Sequence, residues 1–288
     1  VSPGQAGVVD AHHHVWDLAV RDQDWIRGDA MAPIARSFGL DDLRPEAAAR
    51  GVVTTVLVQT VVGPDETPEL LALADGDPLV GAVTGWADLT SPALADDLAA
   101  LRDGPGGRWL RAVRHQVQHE PDPRWLARPD VVRGLATVAA AGLAYELLVL
   151  PHQLPAALDA VRAVPEGRFV LDHCAKPPVA SGALEPWSRD LRALAAEPAV
   201  TCKLSGLVTE AAWATWTPAD VAPFATVVLD AFGADRVMAG SDWPVCLLAA
   251  SYGAVWDLAR DLLAGCSPTE RDAVLRATAT RVYGLGGA

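Results

Sequence analysis

Short apolar runs rich in β-branched residues alternate along the chain with longer Ala/Leu/Arg segments whose apolar positions recur at helical spacing. The short runs are Val8 to His13, Val52 to Thr60, Leu79 to Trp86, Leu110 to Val117, Leu143 to Leu150, Arg168 to Cys174, Thr201 to Ser205 and Arg236 to Ser241. Between them the pattern predicts helices over Pro68 to Ala74, Pro92 to Arg102, Asp130 to Ala141, Leu154 to Val164, Trp187 to Ala196 and Pro218 to Phe232. Several open on proline or follow serine or threonine, as helix starts tend to. Two more, Tyr252 to Leu263 and Pro268 to Tyr283, follow the eighth run. Eight strand-helix units in 288 residues predict an α/β fold, a closed (β/α)8 TIM barrel forming a single domain over 1–288. The rival, an open doubly wound sheet, lacks its Gly-x-Gly-x-x-Gly turn after the first strand. Asp17 to Arg50 is polar and weakly periodic and reads as a long first βα loop (17–50) with a short helix over Leu40 to Arg50. Val1 to Gly7 carry little structural signal.

Composition narrows the class. Hydrophobic residues make up 51% of the chain, yet no run approaches the roughly 18 unbroken apolar residues of a membrane helix. No basic segment followed by an apolar one opens the chain. The expectation is a soluble cytoplasmic protein with no membrane partner. The net charge of −13 argues against nucleic acid as a partner, because phosphate backbones are met by basic faces. An anionic small molecule needs only a few local cations and is not excluded. Cys174, Cys202, Cys246 and Cys266 form no Cys-x-x-Cys pair and are expected to be free thiols.

The chemistry-bearing residues fall at the C-terminal ends of the predicted strands, where barrels of this kind build their sites. His12-His13-His14 ends the first run, and alternation along a strand puts His12 and His14 on one face and His13 on the other. Arg114-His115-Gln116 ends the fourth, with Arg114 and His115 as a surface pair or as substrate contacts. Asp172-His173-Cys174-Ala175-Lys176-Pro177 ends the sixth, and Ser241-Asp242-Trp243-Pro244 the eighth. Asp242 there is either a turn cap or a catalytic carboxylate, and its place at a strand end favours the latter. Glu146 lies inside an apolar run and needs a partner, either a structural cation such as Lys203 or a site ligand. His119 and His152 read as loop histidines. Histidines from two strands with a terminal aspartate are donor and base types of a metal-assisted or general-base hydrolase.

These motifs, with Asp24-Trp25-Ile26, the Glu146 run and Lys203-Leu204-Ser205-Gly206, resemble the amidohydrolase-2 family, in particular its sugar-lactone hydrolase branch. The resemblance spans nearly the whole chain. It implies a lactonase that opens the ring ester of an aldonolactone, with Asp242 and His173 as catalytic residues. His12, His14, His173 and Asp242 would be the ligands of one divalent ion, Zn2+ before others, or would act without any ion through hydrogen bonds to the carbonyl. Arg114, His115 and Lys176 would hold hydroxyls or a carboxylate, Trp25 and Trp243 would flank a sugar ring, and Glu146 stands as a further substrate contact. The fourth strand offers no lysine to bridge two metals, which speaks against a two-metal centre. The implied partner is a small sugar lactone, and a homo-oligomer is compatible with the sequence. A decarboxylase of the same family and a non-catalytic carbohydrate-binding barrel are the alternatives.

Overall fold

The computed structural model describes residues 7–286. Eight parallel strands follow one another around a single sheet in chain order: β1 Val8–His13, β2 Val52–Val58, β3 Val80–Gly85, β4 Leu110–His115, β5 Ala144–Leu147, β6 Arg168–Leu171, β7 Val200–Leu204 and β8 Val237–Ala239. The seam between β1 and β8 closes just beyond the last ladder residues, where Asp242 N donates to His12 O at 2.8 Å and His14 N to Trp243 O at 2.7 Å. Asp10 reinforces it, its carboxylate accepting from Ser241 N at 2.8 Å and from the Tyr252 hydroxyl at 3.1 Å.

The crossover helices α1 Leu40–Ala49, α2 Glu66–Gly76, α3 Leu94–Asp103, α4 Pro129–Ala140, α5 Leu154–Ala163, α6 Trp187–Ala195 and α7 Pro218–Phe232 form the outer layer with α8 Tyr252–Leu262. The predicted helix over Pro268 to Tyr283 divides into α9 Pro268–Asp272, a wide turn over Ala273–Ala277 and α10 Thr278–Tyr283. Strands β2 to β8 each stop short of their predicted ends. Their apolar runs continue because the βα loops turn inward there, burying Thr60, Gln116 and Leu148 at the rim.

Residues 17–50 form the long first βα loop and α1. The loop is not loose. Trp16 and Phe38 exchange backbone hydrogen bonds of 3.0 and 2.8 Å, and the Trp16 indole donates to Arg36 O at 2.7 Å.

The lower barrel interior is lined by Val9, Ala11, Val56, Ala82, Ala112, Ala144, Val170 and Met238, with Ala279, Tyr283 and Leu285 packed into the same cluster. Four alanines leave space that long side chains then fill. Lys203, Glu146 and Asp172 are all fully buried above this layer. A bulge in β1, marked by a register shift against β2 between Asp10 and His13, lets both Val9/Ala11 and His12/His14 serve the interior.

Candidate active site

The bulge sets the three histidines apart as alternation predicts. His13 turns outward and its Nε2 meets the Thr55 hydroxyl at 2.8 Å, while His12 and His14 face one another with ring centroids 4.9 Å apart. His14 Nδ1 donates to Val58 O at 2.8 Å, which fixes the ring with Nε2 aimed inward.

His173 arrives by an unusual backbone route. After β6 the chain makes a left-handed turn in which His173, Cys174, Ala175 and Lys176 have φ of 50°, 53°, 59° and 49°. Each such non-glycine residue costs roughly 1–2 kcal/mol, so the surroundings must impose the turn. Trp187 does part of this by donating to Cys174 O at 2.8 Å. Ser205 Oγ, after β7, lies 2.9 Å from His173 Nδ1 and fixes the ring. Asp242, after β8, also has a left-handed backbone, with φ 56°. Strain on two elements thus converges on the two residues assigned to catalysis.

The four side chains come together. Asp242 Oδ1 lies 3.5 Å from His14 Nε2 and 3.8 Å from both His12 Nε2 and His173 Nε2, and the His12 and His14 Nε2 atoms are 3.2 Å apart. Separations of this size match the edges of a coordination polyhedron with donors about 2 Å from its centre. His12, His173 and Asp242 have ligand atoms within 4.8 Å of one another. Imidazole and carboxylate donors of this kind fit one divalent cation. A second cluster of potential ligands, His12, Glu146 and Asp172, is already filled by the Lys203 ammonium.

Electrostatics set the protonation states. Burial would raise Asp242, but His173, His14 and Lys176 outweigh it and lower its pKa below the usual carboxylate value, so it is a carboxylate at neutral pH. Burial pushes His173 down to about 4 against the pull of Asp242 and Asp172, and it is neutral. Burial and the Lys203 charge hold His12 well below 6.5. Beneath the histidines lies a closed ionic network. Lys203 Nζ is 2.7 Å from Glu146 Oε2 and 3.1 Å from Asp172 Oδ1, and Arg114 donates to Asp172 Oδ2 at 2.9 Å. Burial would raise Asp172, yet Lys203, His12 and Arg114 keep it well below its ordinary value.

Above the histidines a cavity opens to solvent, and its wall includes Trp25, Arg114, Gln116, Gln118, His119 and Lys176. Trp25, Arg114 and Lys176 therefore stand where a substrate would meet them. His115, Glu146 and Trp243, expected as substrate contacts, do not line this cavity. His115 points into the outer layer, stacked on Trp125 at 4.5 Å with Nε2 on Glu120 at 2.7 Å, because it alternates with the inward Arg114. Glu146 is sealed under the site by Lys203 and by the Tyr283 hydroxyl at 2.5 Å. Trp243 is buried behind Asp242 against Phe38, ring centroids 5.4 Å apart. Gln118 has no signal in the sequence beyond its alternation with Arg114, and Gln116, expected only as part of the fourth strand's end, lines the cavity as well. His119 does line the cavity. Ser205 was visible in the motif without its role.

A barrel whose C-terminal rim gathers histidines and a carboxylate from three strands around one point belongs to the hydrolytic barrels that work by general-base or metal-assisted chemistry. The comparisons with known proteins agree. The amidohydrolase family profile matches residues 9–285, and the chain belongs to the amidohydrolase family. It is 41% identical over 288 residues to an L-fucono-1,5-lactonase from Burkholderia multivorans, the match covering 96% of each protein. Two crystal forms of an amidohydrolase from Burkholderia multivorans, one with bound HEPES and one with bound zinc, superpose with TM-scores of 0.91 and 0.90. Each is 40% identical and is matched over 97% of this chain and 100% of that one.

Proposed function

We propose that the chain is a lactonase that adds water across the ring ester of a sugar-derived 1,5-lactone, an L-fucono-1,5-lactone or a close stereochemical relative, giving the open hydroxy acid. The observation that carries the reading is a buried carboxylate, Asp242, kept ionised at the floor of an open cavity with three neutral or neighbouring imidazoles around it. The 41% identical lactonase supports the substrate class.

Asp242 takes a proton from the attacking water as the water adds to the carbonyl carbon. His173 presents Nε2 to the same space. With the Ser205 hydroxyl donating to Nδ1, Nε2 carries the hydrogen and donates to the developing oxyanion; with the opposite arrangement it is a ligand. Asp242 then returns its proton to the ring oxygen as the C–O bond breaks. His12, His14, His173 and Asp242 would hold a divalent ion, Zn2+ being the natural choice for such donors, and when bound it supplies Lewis-acid polarisation of the carbonyl. Trp25 offers a flat face to the sugar ring. Arg114, Gln116 and Lys176 reach its hydroxyls and, after ring opening, the new carboxylate. Gln118 Oε1, buried without a protein partner, is an acceptor for a substrate hydroxyl.

No helix among the described residues is long and apolar enough to cross a membrane. All four cysteines are free thiols, which suits a reducing compartment such as the cytoplasm. A pH-indicator assay over a panel of aldono-1,5- and 1,4-lactones, run with and without chelator, tests the activity. Enzyme-dependent acid release from 1,5-lactones of the L-fuco configuration is expected. Carbon dioxide release from an aromatic acid, or no turnover above spontaneous hydrolysis by folded protein, would overturn it.

A further inference from the structure

Lys203 is a fully buried cation of the barrel interior that contacts His12. Its Nζ lies 2.7 Å from Glu146 Oε2, 3.1 Å from Asp172 Oδ1 and 3.1 Å from His12 Nδ1. An ammonium has no lone pair and can only donate, so its hydrogen bond to His12 Nδ1 forms only if that nitrogen carries no hydrogen. The other tautomer would rely on longer contacts: 3.5 Å from Nδ1 to Asp172 Oδ1 and 3.4 Å from Arg114 to Nε2. It would also set a ring N–H against the Lys203 ammonium at 3.1 Å, two donors facing each other. Arg114 loses less, since its stronger bonds go to Asp172 at 2.9 Å and Gln59 O at 2.6 Å.

We propose that Lys203 is a positioning residue that holds His12 as the Nε2–H tautomer in the cation-free protein and thereby opposes capture of a divalent cation at His12. Seating a cation on Nε2 displaces that proton. It moves by way of solvent to Nδ1 of the same ring, where Asp172 Oδ1 accepts it, so the ring's charge is unchanged and Lys203 gives up its bond to the ring. The inference rests on the cation fit and not on the lactone, and its tests contain no substrate.

Histidine-selective 15N labelling of the intact, chelator-treated chain reads the tautomer directly, with His12 assigned through ring-to-backbone correlations. The expected spectrum has Nε2 protonated and Nδ1 bare, and one equivalent of Zn2+ should move the proton to Nδ1. A His12 already protonated on Nδ1 without metal would overturn the proposal, as would a Zn2+-saturated spectrum unchanged at His12. A second arm replaces the ammonium and its counter-charge together, Lys203→Met with Glu146→Gln. Competition against a chromogenic chelator should show Zn2+ bound about tenfold more tightly, the usual size of effects one layer behind a ligand. Equal or weaker binding by a folded double variant would overturn it, and if that variant does not fold the spectrum of the unaltered chain decides alone.

Discussion

Gly206 packs directly on the His173 imidazole: a Cβ at that position would stand 2.6 Å from Nδ1 and 2.8 Å from Cγ. The backbone there has φ +66°, so only glycine meets both requirements without strain. Gly206→Ala should cost on the order of 1 kcal/mol through the backbone alone. Its larger effect is to push His173 off Ser205. Lactone turnover should fall about tenfold or more, as expected for a misplaced catalytic group, with the unfolding midpoint only slightly lowered. Wild-type kcat in the folded variant would show that the His173 position is not critical.

Asp242→Asn keeps the shape of the side chain and removes the base. General-base groups contribute roughly 10²–10⁴-fold, and kcat should drop by that much while circular dichroism stays native. Near-normal turnover would remove Asp242 from the mechanism.

Glu146 separates a structural from a substrate role. Glu146→Ala leaves Lys203 short of a partner and strips the Thr84 and Tyr283 hydroxyls of their acceptor. Breaking one side of a buried ion pair costs about 3–5 kcal/mol, so the urea midpoint should move down sharply. KM of the surviving folded enzyme should hold near its wild-type value. The reverse pattern, normal stability with raised KM, would return Glu146 to the substrate.

The barrel was legible because each strand carries a short apolar run and each crossover a helical period, down to the short α1 helix at the end of the long first loop. The rim chemistry was legible for the same reason: His12, His14, His173 and Asp242 sit where strands end. What linear order hid was direction. His115 adjoins Arg114 and the pleat turns it the other way, a consequence the period-2 rule contains but which needs the strand register to apply, while Trp243 follows the left-handed Asp242 beyond the end of β8. The bulge in β1 has no marker in Val8-Val9-Asp10-Ala11-His12. Nor does the left-handed turn at His173–Lys176, which contains no glycine and is imposed by Trp187 and by strands far apart in sequence.

The buried neutral histidines make acid a threat to stability. Burial lowers His13 to about 3 and His173 to about 4, and with the Lys203 charge holds His12 well below 6.5. Unfolded histidines titrate near 6.5, so below that pH the unfolded chain takes up protons that the folded chain resists, and stability falls as pH drops toward about 4. Asp10 acts the other way. Burial raises it to about 6 in spite of its bonds from Ser241, His12 and Tyr252. The folded chain thus binds a proton there that an unfolded aspartate does not, and gains stability as pH falls below about 6. Three histidines outweigh one aspartate. In chelator the Tm should decline steadily from pH 6.5 downward, and a flat or rising Tm would contradict neutral histidines.

Two tryptophans divide substrate binding from support. Trp25 is half-buried at the cavity wall, its indole held by Gln23 Oε1 at 2.9 Å and its ring edge-on to Trp16 at 5.6 Å. That anchoring presents a fixed apolar face, and an aromatic contact is worth about 0.5–1.5 kcal/mol beyond its area. Trp25→Ala should therefore raise KM for the lactone by roughly tenfold with kcat and Tm little altered, since 1.4 kcal/mol is a factor of ten. Trp243, 3% exposed behind the Asp242 carboxylate, has no route to the cavity. Trp243→Ala would open a void beside the β1–β8 seam at a cost of about 3–5 kcal/mol. The seam also sets the Asp242 backbone through its bond to His12 O at 2.8 Å, so kcat should fall together with Tm in this variant. Steady-state kinetics and thermal melts on the pair check the division, which fails if Trp25→Ala changes Tm and leaves KM untouched.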